Sequence, residues 1–151
     1  MSRSPGVAAV DAPTSGRLPI PLTALFDLVA VTVFVLIGRA SHEEGLAIVG
    51  VLQTLWPFVV AAAAGWSIVY VLSHVRSSDD GFGHDFRPER PSAGVTVWFC
   101  TVVVAMILRY LLHQGVAVSF VIVATIVLGL FLIGWRVAVS TIARRRGRVT
   151  A

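Results

Sequence analysis

The chain has 151 residues, of which 56% are hydrophobic and 13% are charged. Soluble globular domains are about 45–50% apolar and about 25% charged, so this composition excludes an ordinary water-soluble domain and predicts an integral membrane protein. The formal net charge of +4 comes with twelve basic residues, all of them arginine, that lie mainly in the predicted tails and loops. Such a distribution indicates membrane topology and argues against a nucleic-acid surface.

The chain begins with a segment rich in Pro, Ser, Gly and Ala, and we expect residues 1–21 to form a disordered tail. Apolar runs follow, each about long enough to cross about 30 Å of hydrocarbon, so residues 22–143 predict an all-α domain of four transmembrane helices. The predicted spans are 22–38, 48–74, 93–112 and 117–141. A long polar loop is expected at 75–92, and a basic tail at 144–151.

The second predicted span contains a proline in its interior, Pro57. A proline within a helix lacks the N–H that would bond the carbonyl four residues earlier, here that of Gln53. We therefore expect a helix kink between Gln53 and Pro57.

Four spans place both termini on the same side of the membrane, together with the loop 75–92. Ten of the twelve arginines fall on that side. Because basic residues are enriched in cytoplasmic segments, both termini are predicted to be cytoplasmic. The expected location is a bacterial cell membrane, crossed several times.

The two halves of the chain show the same landmarks. Arg39 and Arg109 are 70 residues apart, Gly45 and Gly115 are also 70 apart, and Gly-Trp pairs end at Trp66 and Trp135, 69 apart. Two spans per half would give the halves the same orientation, so the pattern predicts two parallel-repeat helical hairpins. Chance similarity between apolar segments is the alternative.

Two ionisable residues fall inside the predicted spans, Asp27 in the first and Arg136 in the fourth. An ionisable group in a membrane is costly without a partner, and these two should lie at similar depth. We expect them to form an ion pair between the two helices. The pair would either fix helix register or take part in proton or solute transport.

A second group of polar residues is expected near the opposite surface: Arg39, His42, Glu43 and Arg109. They would form a polar cup for an anion or a proton-linked solute, or simply meet water and lipid headgroups. His42, Glu43 and His113 have no recognisable metal-ligand spacing, so no metal or cofactor is predicted. No catalytic constellation of nucleophile and base is visible, and the chain is not expected to be an enzyme.

Small residues at a spacing of four allow helices to approach closely in lipid. The chain has two such pairs, Ala61 with Gly65 and Thr125 with Gly129. They predict helix packing inside the bundle or, alternatively, a dimer face. Trp66, Trp98 and Trp135 are expected to form an aromatic belt at the inner membrane surface.

The segments DLVAVTVFVLIGRASHEEG, TLWPFVVAAAAGW, GVTVWFCTVVVAMILR and SFVIVATIVLGLFLIGWR carry these features. Together they resemble the small bacterial and archaeal membrane proteins grouped as domain of unknown function 3054. The resemblance extends over about residues 27–136 and leaves out the tails and the loop 75–92. It implies an integral membrane protein and no particular activity.

The leading functional hypothesis is a small transporter-like or channel-like protein that uses its charged intramembrane residues. Four helices leave little room for a pathway in one subunit, so an oligomer is expected. The alternative is a non-transporting scaffold or accessory subunit of a larger membrane complex. The expected partners are the lipid bilayer and a second copy or another membrane protein, with no nucleic acid.

Overall fold

A computed structural model describes residues 18–41, 47–77 and 86–149. Within them lie four α-helices and no strand: α1 (Ile20–Ser41), α2 (Ile48–Ser77), α3 (Pro91–Leu111) and α4 (Val118–Val149). All four are long and apolar enough to cross a membrane. The prediction of an all-α protein with four transmembrane helices is therefore confirmed.

The helices differ from the predicted spans at their ends, most of all at the start of α1 and the end of α4. α1 begins at Ile20, inside the segment predicted as a tail, because a proline such as Pro21 is tolerated in a first helical turn whose N–H groups need no helical partner. α4 continues through the basic residues to Val149, because arginine is a good helix former and a helix can continue outside the membrane.

The helices are arranged as a ring in chain order. α1 contacts α2 and α4, and α3 contacts the same two helices, whereas no Cα atoms of the diagonal pairs within the described residues come within 8 Å. Neighbouring helices are antiparallel. We call the end of the bundle that holds Asp27, Trp66 and Arg136 the terminal end, and the end that holds Arg39 and Arg109 the distal end.

Buried aromatic and aliphatic side chains fill the centre of the ring. The rings of Phe34 and Phe58 meet edge to face at 5.3 Å, and Phe120 of α4 lies 6.3 Å from Phe34. Large apolar side chains also cover the outside, among them Leu25, Phe99 and Ile126. A surface that is apolar on every side suits hydrocarbon surroundings.

Buried positions of α1 recur in α3 after 70 residues. The corresponding pairs are Thr23 with Ala93, Asp27 with Val97, Val31 with Thr101, and Val35 with Ala105, all buried. Duplicated hairpins would produce this correspondence, because equivalent helices then turn equivalent faces to the core. Gly45, one of the sequence landmarks, lies outside the described residues.

The small residues predicted for packing lie at close helix contacts within the bundle. Ala61 is fully buried in the core. A Cβ atom on Gly65 would come 2.9 Å from the Cα of Val97 in α3, closer than real Cβ atoms approach. A Cβ atom on Gly129 would lie 3.0 Å from the indole nitrogen of Trp98, whose N–H donates to the carbonyl of Thr125 at 2.9 Å.

The internal proline of α2 leaves the helix continuous. Pro57 is buried, and α2 runs through it from Ile48 to Ser77. The carbonyl of Gln53, which Pro57 cannot bond, accepts a hydrogen bond of 3.3 Å from Nε2 of Gln114 in the α3–α4 connection. A side chain from another part of the chain thus satisfies the backbone group that the proline frees.

Candidate functional site

A cavity of about 370 Å³ opens at the distal end, between α1, α2, the α3–α4 connection and the start of α4. Its apolar wall includes Phe34, Val35 and Phe120. Its polar lining includes both arginines that the sequence placed at this surface, Arg39 and Arg109. We call it the distal pocket.

The last turn of α1 places Arg39 in the distal pocket. Its Nη1 donates to the hydroxyl of Thr54 on α2 at 2.9 Å. Gly50, one turn earlier on α2, leaves space for the guanidinium, because a Cβ atom there would come 2.5 Å from Nη2. Glycine at this position therefore leaves room for the charged group beside the neighbouring helix.

The last turn of α3 places Arg109, where a cation also complements the helix dipole. The α3–α4 connection folds around this side chain. Nη1 meets the side-chain oxygen of Gln114 at 3.4 Å, and Nη2 meets the carbonyls of Gln114 and Gly115 at 3.3 and 3.4 Å. The guanidinium carbon lies 4.6 Å from the ring centre of Phe120, a cation–π contact.

The two arginines occupy equivalent places in the two halves of the chain. Arg39 lies against Gly50, and Arg109 lies over Phe120. Position 120 follows position 50 by the same 70 residues that separate the arginines. One half therefore provides space beside its guanidinium, while the other provides an aromatic face.

The described lining of the distal pocket is positively charged. Among the described residues, its lining contains two guanidinium groups and no carboxylate. Arg39 and Arg109 both hydrogen-bond neutral oxygen atoms there. His42 and Glu43, the other two members of the predicted outer polar site, lie outside the described residues. The described part of the pocket has the chemistry of an anion site.

At the terminal end, Asp27 of α1 and Arg136 of α4 form a bidentate ion pair. Nη1 and Nη2 of Arg136 each lie 2.7 Å from one carboxylate oxygen of Asp27. Arg136 is fully buried and Asp27 is 3% exposed. Two indole N–H groups complete the shell of the carboxylate, from Trp66 at 2.9 Å and from Trp135 at 3.0 Å.

The remaining donors of Arg136 bond backbone oxygens. Nε donates to the carbonyl of Pro88 at 2.9 Å, and Nη1 also donates to the carbonyl of Leu132. A Cβ atom on Gly94 would meet Cδ of Arg136 at 2.6 Å, so glycine makes room for the side chain to cross α3. The charge cluster, defined as Asp27, Trp66, Trp135 and Arg136, thus joins α1, α2, α4 and the segment before α3.

Sequence reasoning missed the chemistry of three residues. Trp66 and Trp135 were expected only as an aromatic belt, yet both donate to Asp27. The repeated Gly-Trp pairs were the one signal that could have drawn attention to them. Nothing in the sequence singled out Gln114, which bridges Arg109 and the carbonyl of Gln53.

The described residues hold no group of three or more His, Cys, Asp or Glu side chains placed to bind a metal ion. His113 lies in the α3–α4 connection with a φ of 56°. That left-handed conformation forms part of the turn that brings Gln114 to Arg109. Its role in the described structure is therefore local geometry.

Fold and composition together define a small four-helix membrane protein. Residues 24–139 match the family model described as a protein of unknown function, DUF3054. The match includes most of the chain, and the protein belongs to this family. No curated protein and no solved structure shows significant similarity to it.

Proposed function

We propose that the protein is a transporter-like or channel-like membrane protein that accepts a small anion in the distal pocket. One observation carries the proposal: Arg39 and Arg109, from different helices, line the same cavity. Two guanidinium groups that line one cavity attract an anion and would hold it between them. The planar fork of arginine also suits carboxylate and oxyanion ligands.

Size and lining restrict the class of anion. A cavity of about 370 Å³ lies at the small end of ligand pockets, so the solute is an inorganic oxyanion or a short carboxylate. Phe34, Val35 and Val123 would contact the apolar part of a carboxylate. Thr54 and Gln114 add polar groups at the same cavity.

The two ends of the bundle would then have different roles. Both carboxylate oxygens of Asp27 accept hydrogen bonds from Arg136 and from a tryptophan, which supports a structural role in fixing helix register. Proton transfer through Asp27 would require this shell to open. The distal pocket ends at the core aromatic residues, so passage of a solute would need either a conformational change or an interface between copies.

We place both termini, including the tail 1–21 and the loop 75–92, in the cytoplasm of a bacterial cell. The distal pocket would then face the opposite side of the membrane. This orientation follows from the arginine distribution. A homo-oligomer remains part of the proposal, because four helices enclose little space for a pathway in one subunit.

The test is a thermal-unfolding series of purified protein with phosphate, sulfate, nitrate, acetate and lactate. A ligand that binds the folded state raises the unfolding temperature, and the shift grows with the logarithm of ligand concentration above the dissociation constant. We expect at least one anion to stabilise the protein. Arg39→Gln or Arg109→Gln should weaken the affinity for that anion about tenfold. Arg145→Gln is the matched control, because it removes one positive charge from an exposed site outside the distal pocket.

Anion flux into proteoliposomes then separates transport from binding alone. Flux that is lost in both distal-pocket variants and kept in Arg145→Gln supports the transporter-like function. A binding response that is equal in all three variants would contradict the anion site. Binding without flux would leave a receptor or accessory role and would refute transport.

The alternative is a non-transporting scaffold or accessory subunit, and one feature favours it. A lateral groove of about 290 Å³ lies between α1 and α2, lined by Leu28, Val59, Ala62 and Ala63 among others. Small residues there would admit a helix of another membrane protein. A scaffold predicts that Ala62→Leu reduces the mass of the purified complex, while the distal-pocket variants leave it unchanged.

A further inference from the structure

A second arginine-lined cavity lies at the terminal end, far from the distal pocket. Its charged lining consists of Arg87, Arg90, Arg144 and one acid, Glu89, so the described lining is net positive. Ser92 and Ser140 contribute hydroxyl groups. We call it the terminal basic pocket, and its volume is about 350 Å³.

The terminal basic pocket lies at a membrane boundary. The candidate membrane span of α3 begins at Pro91, and the apolar run of α4 ends where consecutive arginines begin at Arg144. The pocket is formed where these two ends meet, with Pro91, Val139 and Ala143 as its apolar wall. The pocket has apolar surface on the side of the bilayer and cations on the other side. This arrangement places the cations at the depth of phospholipid phosphates.

The cavity is held in shape by the charge cluster beneath it. The carbonyl of Pro88, between Arg87 and Glu89, accepts a hydrogen bond of 2.9 Å from the buried Nε of Arg136. Pro88 itself is buried. Ser140 and Arg144 follow Arg136 on α4 by one and two turns, so the same helix carries the anchor and the far wall. The arginines are therefore presented on backbone that is fixed.

From these observations we infer that the terminal basic pocket binds the phosphate of an anionic phospholipid. The guanidinium groups of Arg87, Arg90 and Arg144 contact the phosphodiester oxygens. The first acyl carbons lie against Val139 and Ala143. The recognised chemistry is a phosphate oxyanion beside an apolar chain, and the bilayer supplies that combination at this depth. The inference does not depend on the function of the distal pocket.

Two adjacent arginines provide a matched test. Both side chains are exposed, but Arg144 lines the pocket and Arg145 lies outside it. Arg144→Gln and Arg145→Gln change the net charge equally and leave the same helix. Binding of phosphatidylglycerol and of phosphatidylcholine to each purified protein in neutral detergent is measured by native mass spectrometry, with inorganic phosphate as the competitor.

We expect phosphatidylglycerol to be retained in preference to phosphatidylcholine. Each basic residue near an anionic membrane surface is worth about 1 kcal/mol, so Arg144→Gln should weaken phosphatidylglycerol binding about fivefold. Arg145→Gln should leave it within twofold of the unchanged protein. Arg144→Lys should restore most of the affinity, which separates charge recognition from a folding defect.

Three results would overturn the inference. Equal loss of lipid in Arg144→Gln and Arg145→Gln would mean general surface attraction without a built site. Retention of phosphatidylcholine as strong as that of phosphatidylglycerol would exclude recognition of a net anionic lipid. Full displacement by millimolar inorganic phosphate would identify a site for the free anion, since a lipid held by its chain as well would resist it.

Discussion

Replacement of Asp27 by asparagine provides the sharpest test of the charge cluster. The change converts one carboxylate oxygen into an NH2 group and leaves the size of the side chain nearly unchanged. In the unchanged protein, the oxygen that is replaced accepts one hydrogen bond from an Nη group of Arg136 at 2.7 Å. It accepts another from an indole N–H at 2.9 or 3.0 Å. Both contacts would become donor against donor, and the buried guanidinium would lose its counter-charge.

The size of the effect follows from burial. Removing one partner of a buried ion pair costs about 3–5 kcal/mol, because the other charge remains in a medium that cannot hydrate it. Arg136 is fully buried, so Asp27→Asn should lower the free energy of unfolding by that amount. Arg136→Met should cost a similar amount. The double variant should cost at least about 2 kcal/mol less than the two single effects together.

Unfolding of purified protein in mixed micelles, titrated with sodium dodecyl sulfate and followed by circular dichroism, measures these free energies. Tryptophan emission gives a second readout, since either Trp66 or Trp135 loses its acceptor in Asp27→Asn. A loss below about 1 kcal/mol for Asp27→Asn would refute the reasoning. Additive effects of the two substitutions, within about 0.5 kcal/mol, would also refute it, because coupled partners cannot be additive.

Two glycine substitutions test close contacts elsewhere. Gly65→Ala should lower the free energy of unfolding by about 1–3 kcal/mol, since its Cβ would meet backbone of Val97 at 2.9 Å and separate α2 from α3. The control Gly134→Ala meets no atom within 4 Å and should be neutral or stabilising; equal effects would contradict the contact. Gly50→Ala should displace Arg39, with Cβ 2.5 Å from its flexible end, and weaken anion binding severalfold at nearly unchanged stability. Unchanged anion affinity in a thermal-shift titration would show that the position of Arg39 is unimportant.

Most of the secondary structure could be predicted because it depends on local properties of the chain. Apolar runs of about 20 residues identify membrane helices, since every backbone polar group must be satisfied within the segment. The ends of the helices were harder to predict from the sequence. Ile20 belongs to α1 although prolines flank it, and α4 continues to Val149 although the apolar run has ended. Helix formation tolerates both features, while hydropathy alone marks them as tails.

The sequence predicted the candidate sites only as pairs of charged residues, each of which is unfavourable in hydrocarbon without a partner. An isolated acid in one span and an isolated arginine in another suggested Asp27 with Arg136, because neither is stable alone in hydrocarbon. Nothing in the spacing of the residues along the chain indicated that the indole N–H of Trp66 would also donate to the carboxylate of Asp27. Nor did it indicate that Pro88 would supply an acceptor to Arg136 from the segment before α3.

The sequence by itself determined that this is a membrane protein of four helices and which few residues would need partners. Only the tertiary structure decided which faces meet, that Arg39 and Arg109 share one cavity, and that Gln114 satisfies the carbonyl freed by Pro57. The physical reason is that apolar residues surround each helix on all sides, since lipid and core are equally apolar. Periodicity therefore cannot distinguish inside from outside, and close packing at positions such as Gly65 sets the rotation of each helix instead.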